Sequence, residues 1–194
     1  MRASSPFNFM PSNEQPFIPY GRQHVTESDI DSVVQVLKSS YLTQGPVLSH
    51  FEDAFASKVT SNYSVAVNSA TSALHIACMS LGVGVGDYVW TSPITFVASA
   101  NCALYCGAFI DFVDIDPDTG LMSTSALEIK LVKAAQIGKL PKLVIPVHLC
   151  GTSCDMKKIH ELSLLYGFKI LEDASHAVGG SYQGRSVGCG QYSA

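Results

Sequence analysis

Apolar residues at Ile30, Val33, Val34 and Leu37 keep the i, i+3, i+4, i+7 spacing of a helix with one inward face. Thr26, with Asp29 three residues on, supplies the capping signal that starts it, and Ser39-Ser40 mark its end. Gly45-Pro46 breaks the chain before a second stripe, Leu48, Phe51, Phe55 and Val59. Ser64–Val67 is a short apolar run and predicts a strand. Asn68-Ser69 then opens a third helix that turns Ala73, Leu74, Ala77 and Leu81 inward.

From there the two periods alternate. Tyr88–Thr91 predicts a strand, Thr95–Tyr105 a helix and Phe109–Val113 a strand, followed by a turn at Asp116–Gly120. A helix over Ser125–Ile137 leads to a strand at Leu143–Val147, and Asp155 caps a helix through Tyr166 before a last strand, Phe168–Glu172. Strands alternating with helices imply a three-layer α/β/α fold with a mostly parallel sheet covered on both faces. Ligands of such sheets lie beyond the carboxyl ends of the strands. The residues that follow Val67, Thr91, Val147 and Glu172 are therefore the ones to inspect.

Composition adds one unusual feature. Only 14% of the 194 residues are charged while 47% are hydrophobic, against about 25% charged in ordinary domains. So apolar a chain is expected to have much of its surface covered, by a second subunit or by further chain. Length suits one domain, taken as residues 17–194 after a flexible lead-in at 1–16. The net charge of −4, with only Lys157 and Lys158 adjacent, argues against nucleic acid as partner. No N-terminal apolar run resembles a secretory signal, so a cytoplasmic setting with reduced thiols is expected for the six cysteines. Their two C-x3-C spacings do not match a zinc knuckle, and no metal site is expected. Tyr88–Ile110 lacks charge and is long enough to cross a bilayer, but Thr91, Ser92, Pro93, Thr95, Ser99 and Asn101 interrupt it. It reads as a buried strand, a loop and a buried helix, with no membrane role.

Each strand end carries candidate chemistry. Asn68–Leu74 puts small residues at a helix start, which serves either an anion or an ordinary cap. Phe96 could stack on a planar ligand or belong to the core, and His148 with Gly151 follows another strand. Glu172-Asp173-Ala174-Ser175-His176 is the densest cluster, because carboxylates at the end of an apolar strand need a cation or hydrogen-bond donors. A Ser175–His176–Asp173 hydrolase triad is disfavoured, since no G-x-S-x-G elbow is present. Gly82-x-Gly84-x-Gly86 precedes a strand, and so is not a dinucleotide loop. Asp114-x-Asp116-x-Asp118 carries Pro117 and lacks the glycine and final acid of a calcium loop.

Together, Ile18–Gln23, Leu42–Pro46, Asn68–Leu74, Thr95–Ala98, Val147-His148 with Gly151, and Glu172–Gly179 resemble the DegT/DnrJ/EryC1/StrS family of sugar aminotransferases. The resemblance implies the large domain of a fold-type I enzyme that uses pyridoxal 5'-phosphate. It implies that Asp173 pairs with the pyridine nitrogen, Phe96 stacks on the ring and His176 bonds the phenolic oxygen. Ala70 and Thr71 would hold the phosphate, and Tyr20, Gly45 and Pro46 would meet substrate. Asn68–Cys78 and Val97–Ala108 look like the subgroup of pseudaminic acid biosynthesis, which aminates a UDP-linked 4-keto-6-deoxy-N-acetylhexosamine, with glutamate expected as donor and a homodimer as the assembly. The family's Schiff-base lysine lies in an S-F-H-x-x-K-type segment that has no counterpart in this sequence, whose last lysine is Lys169. The expectation is an aminotransferase by lineage whose 194 residues alone are inactive. The alternative is a lysine-less module that binds a cofactor or sugar without catalysis.

Overall fold

The computed structural model describes residues 22–193. The chain divides into two compact units, Met1–Gln44 and Gly45–Ala194. In the first, helix α1 (Glu27–Leu37) begins with the expected capping box. The Thr26 N–H donates to Asp29 Oδ2 at 2.7 Å, and the Asp29 N–H donates back to Thr26 Oγ1 at 3.3 Å. The bonds that the Thr26 N–H and hydroxyl donate to it hold the Asp29 carboxyl below its ordinary value. The apolar stripe of α1 is exposed at Ile30, Val33 and Leu37.

The second unit opens with α2 (Pro46–Val59), with Gly45 as its N-cap and Pro46 at its first position. It continues through α3 (Ala70–Ser80), β1 (Tyr88–Thr91), α4 (Ala98–Tyr105), β2 (Phe109–Phe112) and α5 (Thr124–Gln136). Next come β3 (Leu143–Ile145), α6 (Met156–Tyr166), β4 (Lys169–Ile170) and a small hairpin, β5 (Ser181–Tyr182) and β6 (Arg185–Ser186). The four longer-range strands form one parallel sheet in the order β2-β1-β3-β4.

Alternation along each buried strand feeds two cores. Val89, Leu143 and Ile145 point to the face covered by Leu74 and Cys78 of α3 and Ala98, Cys102 and Ala103 of α4. Trp90, Val144 and Ile170 point to the other face, against Leu127 and Leu131 of α5 and Met156, Ile159 and Leu162 of α6. That is the three-layer α/β/α arrangement that the sequence pattern implies. The stretch Tyr88–Ile110 becomes strand, loop, helix and the start of β2. No helix among the described residues is long and apolar enough to cross a membrane.

The structure differs from the sequence reading in several places. Ser64–Val67 forms no strand: it runs as irregular chain with Val65 79% exposed, because no neighbouring strand pairs with it among the described residues. Helix α4 starts at Ala98, since Thr95 to Val97 serve as its approach. Strand pairing stops at Ile145 and Ile170, although an isolated bridge from Val147 to Asp173 carries the parallel register onward. On α3, Leu74 and Cys78 are buried whereas Ala73 is exposed. The apolar composition is visible on the surface, where Tyr63, Val65, Val85, Leu164 and Leu165 are all more than 70% exposed.

Candidate functional site

The chain leaves β1 through α4 toward β2, and leaves β3 through α6 toward β4, on opposite faces of the sheet. The order therefore reverses between β1 and β3, and their carboxyl ends flank a crevice of the kind that binds ligands. The Thr91 hydroxyl closes its floor by donating to the Ile145 carbonyl at 2.9 Å.

Asp173 is fixed at this end of the sheet by its backbone. Its N–H donates to the Pro146 carbonyl at 2.9 Å, and its carbonyl accepts from the His148 N–H at 3.0 Å. The side chain is 6% exposed. Oδ2 accepts from the Ser99 hydroxyl at 2.6 Å, while Oδ1 accepts from the Ser175 hydroxyl at 2.6 Å and the Ser175 N–H at 3.2 Å. Ser175 thus bonds Asp173 directly, without the histidine that a hydrolase triad would place between them. Asp173 has no ion-pair partner among the described residues. A buried carboxylate held only by neutral donors is a place where a cationic ligand gains most.

A second buried pair stands beside it. His148 is fully buried, its Nδ1 accepts from the Cys154 N–H at 3.2 Å, and its Nε2 lies 2.8 Å from Glu172 Oε2. Because Nδ1 accepts, the neutral ring carries its proton on Nε2 and donates it to the carboxylate. Burial pushes the Glu172 carboxyl up, but hydrogen bonds from His148 and Ser193 outweigh it and hold the group below its ordinary value. The imidazole that meets the acidic cluster is therefore His148, 24 residues upstream of Glu172, and not the neighbouring His176. The signal was topological, since parallel strands with register Val144 to Ile170 bring both ends together.

Opposite Asp173 lies the first turn of α3. The Ser69 hydroxyl caps it by accepting from the Ser72 N–H at 3.2 Å. The N–H groups of Ala70 and Thr71 donate to nothing among the described residues, so two oriented donors and the helix dipole face outward. A cavity of about 390 Å³ joins the two features, lined by Ala70, Ala73 and Leu74 on one side and Asp173, Ala174 and Ser175 on the other. No lysine is among its lining residues.

Of the residues singled out from the sequence, Ala70 and Asp173 share this cavity. Thr71 is half-buried in the first turn of α3, Phe96 is 70% exposed on the loop before α4, and His176 is exposed just after Ser175. None of these three is among the residues lining the cavity. Gly45 and Pro46 start α2, whose far end contributes Phe55 and Val59 to the lining, roughly 15 Å away along the axis. Tyr20 lies outside the described residues. Ser99, which sequence reasoning treated only as a polar interruption, proves to be a direct partner of Asp173.

Residues 23–193 match the DegT/DnrJ/EryC1/StrS aminotransferase family. The spore coat polysaccharide biosynthesis protein SpsC of Bacillus subtilis (strain 168) is 40% identical over 172 residues, which cover 89% of this chain and 43% of that protein. Among solved structures, PseC of Helicobacter pylori, an aminotransferase involved in the biosynthesis of pseudoaminic acid, superposes with TM-score 0.79 at 30% identity. That match covers 87% of this chain and 44% of PseC. The PLP form of the sugar aminotransferase Spr1654 from Streptococcus pneumoniae gives TM-score 0.78 at 28% identity, over 91% of this chain and 47% of that one. The chain thus spans less than half the length of these relatives.

Proposed function

Because the chain belongs to the DegT/DnrJ/EryC1/StrS aminotransferase family, we propose that its cavity binds pyridoxal 5'-phosphate, as part of a site that aminates a nucleotide-linked keto sugar. The observation that carries this reading is the buried, cation-free Asp173 carboxylate facing the open helix start at Ala70 across one cavity. A pyridine ring with a phosphate tail presents a cation to the first and an anion to the second. When bound, the cofactor supplies an electron sink for the carbanion formed as the amino group moves.

The chain's own residues divide the remaining work. Asp173 accepts a hydrogen bond from the ring nitrogen and keeps it protonated. The N–H groups of Ala70 and Thr71 hold the phosphate. Phe96 and the exposed His176, which lie outside the cavity lining, would cover the ring and donate to the phenolic oxygen from its rim. Gly45 and Pro46, at the start of α2, are assigned to the sugar nucleotide. The substrate in this reading is a UDP-linked 4-keto-6-deoxy-N-acetylhexosamine, with glutamate as amino donor, in surface-glycan sugar biosynthesis of the pseudaminic type. The likeness to PseC supports that choice, and the likeness to SpsC supports the wider class of polysaccharide sugars. The exposed apolar residues support a homodimer.

Transamination also needs a lysine to carry a proton between carbons. No lysine lines the cavity, so the 194 residues alone are expected to bind cofactor without turning over. The same observation would suit a non-enzymatic binding module. The test is titration of the chain with pyridoxal phosphate, followed by borohydride reduction and intact mass. Saturable binding without a stoichiometric adduct on a defined lysine is expected. One lysine fully modified, or sugar-nucleotide turnover by these 194 residues, would contradict the proposal.

A further inference from the structure

Ser99 belongs to a helix built from small residues. Ala98, Ser99, Ala100, Cys102 and Ala103 are all buried, which lets α4 pack close to the sheet. A serine in the first turn of a helix would ordinarily bond backbone near it. Instead the Ser99 hydroxyl, with no exposed surface, reaches a carboxylate 74 residues away. Its own oxygen lies 2.7 Å from Thr95 Oγ1. The carboxylate can only accept, so the Ser99 proton is committed to Asp173 and the Thr95 hydroxyl must donate to Ser99. The chain of donors runs Thr95 to Ser99 to Asp173, and Thr95 immediately precedes Phe96.

The consequence lies in the orientation of the carboxyl plane. The terminal torsion of an aspartate is broad and has no sharp wells of its own. Hydrogen bonds must therefore set it. Both Ser175 donors fall on Oδ1, about which the group could swing, while Ser99 alone pins Oδ2. Three of about four acceptor positions are then filled. One remains, in a fixed direction, for a ligand.

We infer that Ser99, backed by Thr95, is a positioning residue that aims the Asp173 carboxylate at the ring nitrogen of a bound pyridine cofactor. The inference rests on the reading of Asp173 given above. It concerns orientation toward one atom, so its effect must vanish when that atom is replaced.

The experiment compares binding of pyridoxamine phosphate with its 1-deaza analogue, in which the ring nitrogen is a carbon, to the native chain and to Ser99→Ala, Thr95→Val and Asp173→Ala. Calorimetry supplies Kd, and thermal unfolding confirms that each variant folds. Ser99→Ala is expected to weaken pyridoxamine phosphate roughly tenfold, the scale of one lost hydrogen bond to a charged group. It should leave the deaza analogue within about twofold. Thr95→Val, which removes only the outer hydroxyl, should show the same selectivity at smaller size, and it carries the test if Ser99→Ala does not fold. Equal weakening of both ligands, or of neither, overturns the role of Ser99. Discrimination abolished in Asp173→Ala but intact in the Ser99 and Thr95 variants overturns Ser99 alone. A native chain that fails to bind pyridoxamine phosphate, or to distinguish it from the analogue, overturns the Asp173 reading and this inference with it.

Discussion

Replacing His148 by alanine removes a buried side chain that satisfies two partners at the sheet's carboxyl end. The Cys154 N–H would lose its acceptor and Glu172, with 11% of its side chain exposed, would lose a donor. A stranded buried donor costs about 1–3 kcal/mol, and a lost bond to a charged group about 1.5–3 kcal/mol. The sum, about 2.5–6 kcal/mol, is a large share of the roughly 5–15 kcal/mol that holds a domain folded. Glu172→Gln keeps an acceptor for His148 Nε2 but removes the charge, so about 1 kcal/mol is expected at neutral pH. The pH dependence follows from the depressed folded value of Glu172. A carboxyl lowered on folding adds stability that is complete above the unfolded value, near ~4.3, and fades as pH falls through the folded one. The gap between the native chain and Glu172→Gln should therefore be constant from neutral pH down to about 5.5 and shrink below about 4.5. Urea unfolding can be followed by fluorescence, because Trp90 is the only tryptophan and is 2% exposed in the core. A gap unchanged at low pH, or a His148→Ala cost under about 1 kcal/mol, would refute the reasoning.

Two further outcomes follow from packing. A Cβ added at Gly180 would stand 3.0 Å from the Ala177 carbonyl oxygen and 3.2 Å from that of Gly151. Gly180→Ala should thus cost about 1–3 kcal/mol in the same urea assay, with no change in net charge to blame. Cys78, Cys102 and Cys154 have no exposed surface, and burial pushes the Cys154 thiol up to about 11, whereas Cys150 is exposed. Iodoacetamide should modify Cys150 in the native chain and spare Cys154 until urea unfolds it, as peptide mass mapping would show.

Much of the architecture was legible because local periods and caps agreed with the final packing. Thr26-x-x-Asp29 marked the start of α1, Asp155 capped α6, and Tyr88–Thr91 became β1 without change. Ser64–Val67 misled because periodicity reports a preference for pairing and says nothing of whether a partner strand is present. The β5–β6 hairpin was missed because Gln183-Gly184, with φ of 49° and 78°, makes a two-residue turn without the usual Asn-Gly signature. Asp173 could be picked out as the residue beyond a strand, and Ala70 as lying in the first turn of a helix. The Ser99 and His148 contacts could not, since each joins segments far apart in sequence through the parallel topology.

The most direct test of the central claim reads the atom that Asp173 is held to meet. Pyridoxamine phosphate carrying ¹⁵N in its ring would be bound to the chain and its nitrogen shift recorded, at a pH where the free ligand's ring nitrogen is deprotonated. A protonated ring nitrogen in the native complex, reverting to the deprotonated shift in Asp173→Asn, is the predicted result. A bound ligand whose ring nitrogen is deprotonated in the native chain, or equally protonated in both, would contradict the account.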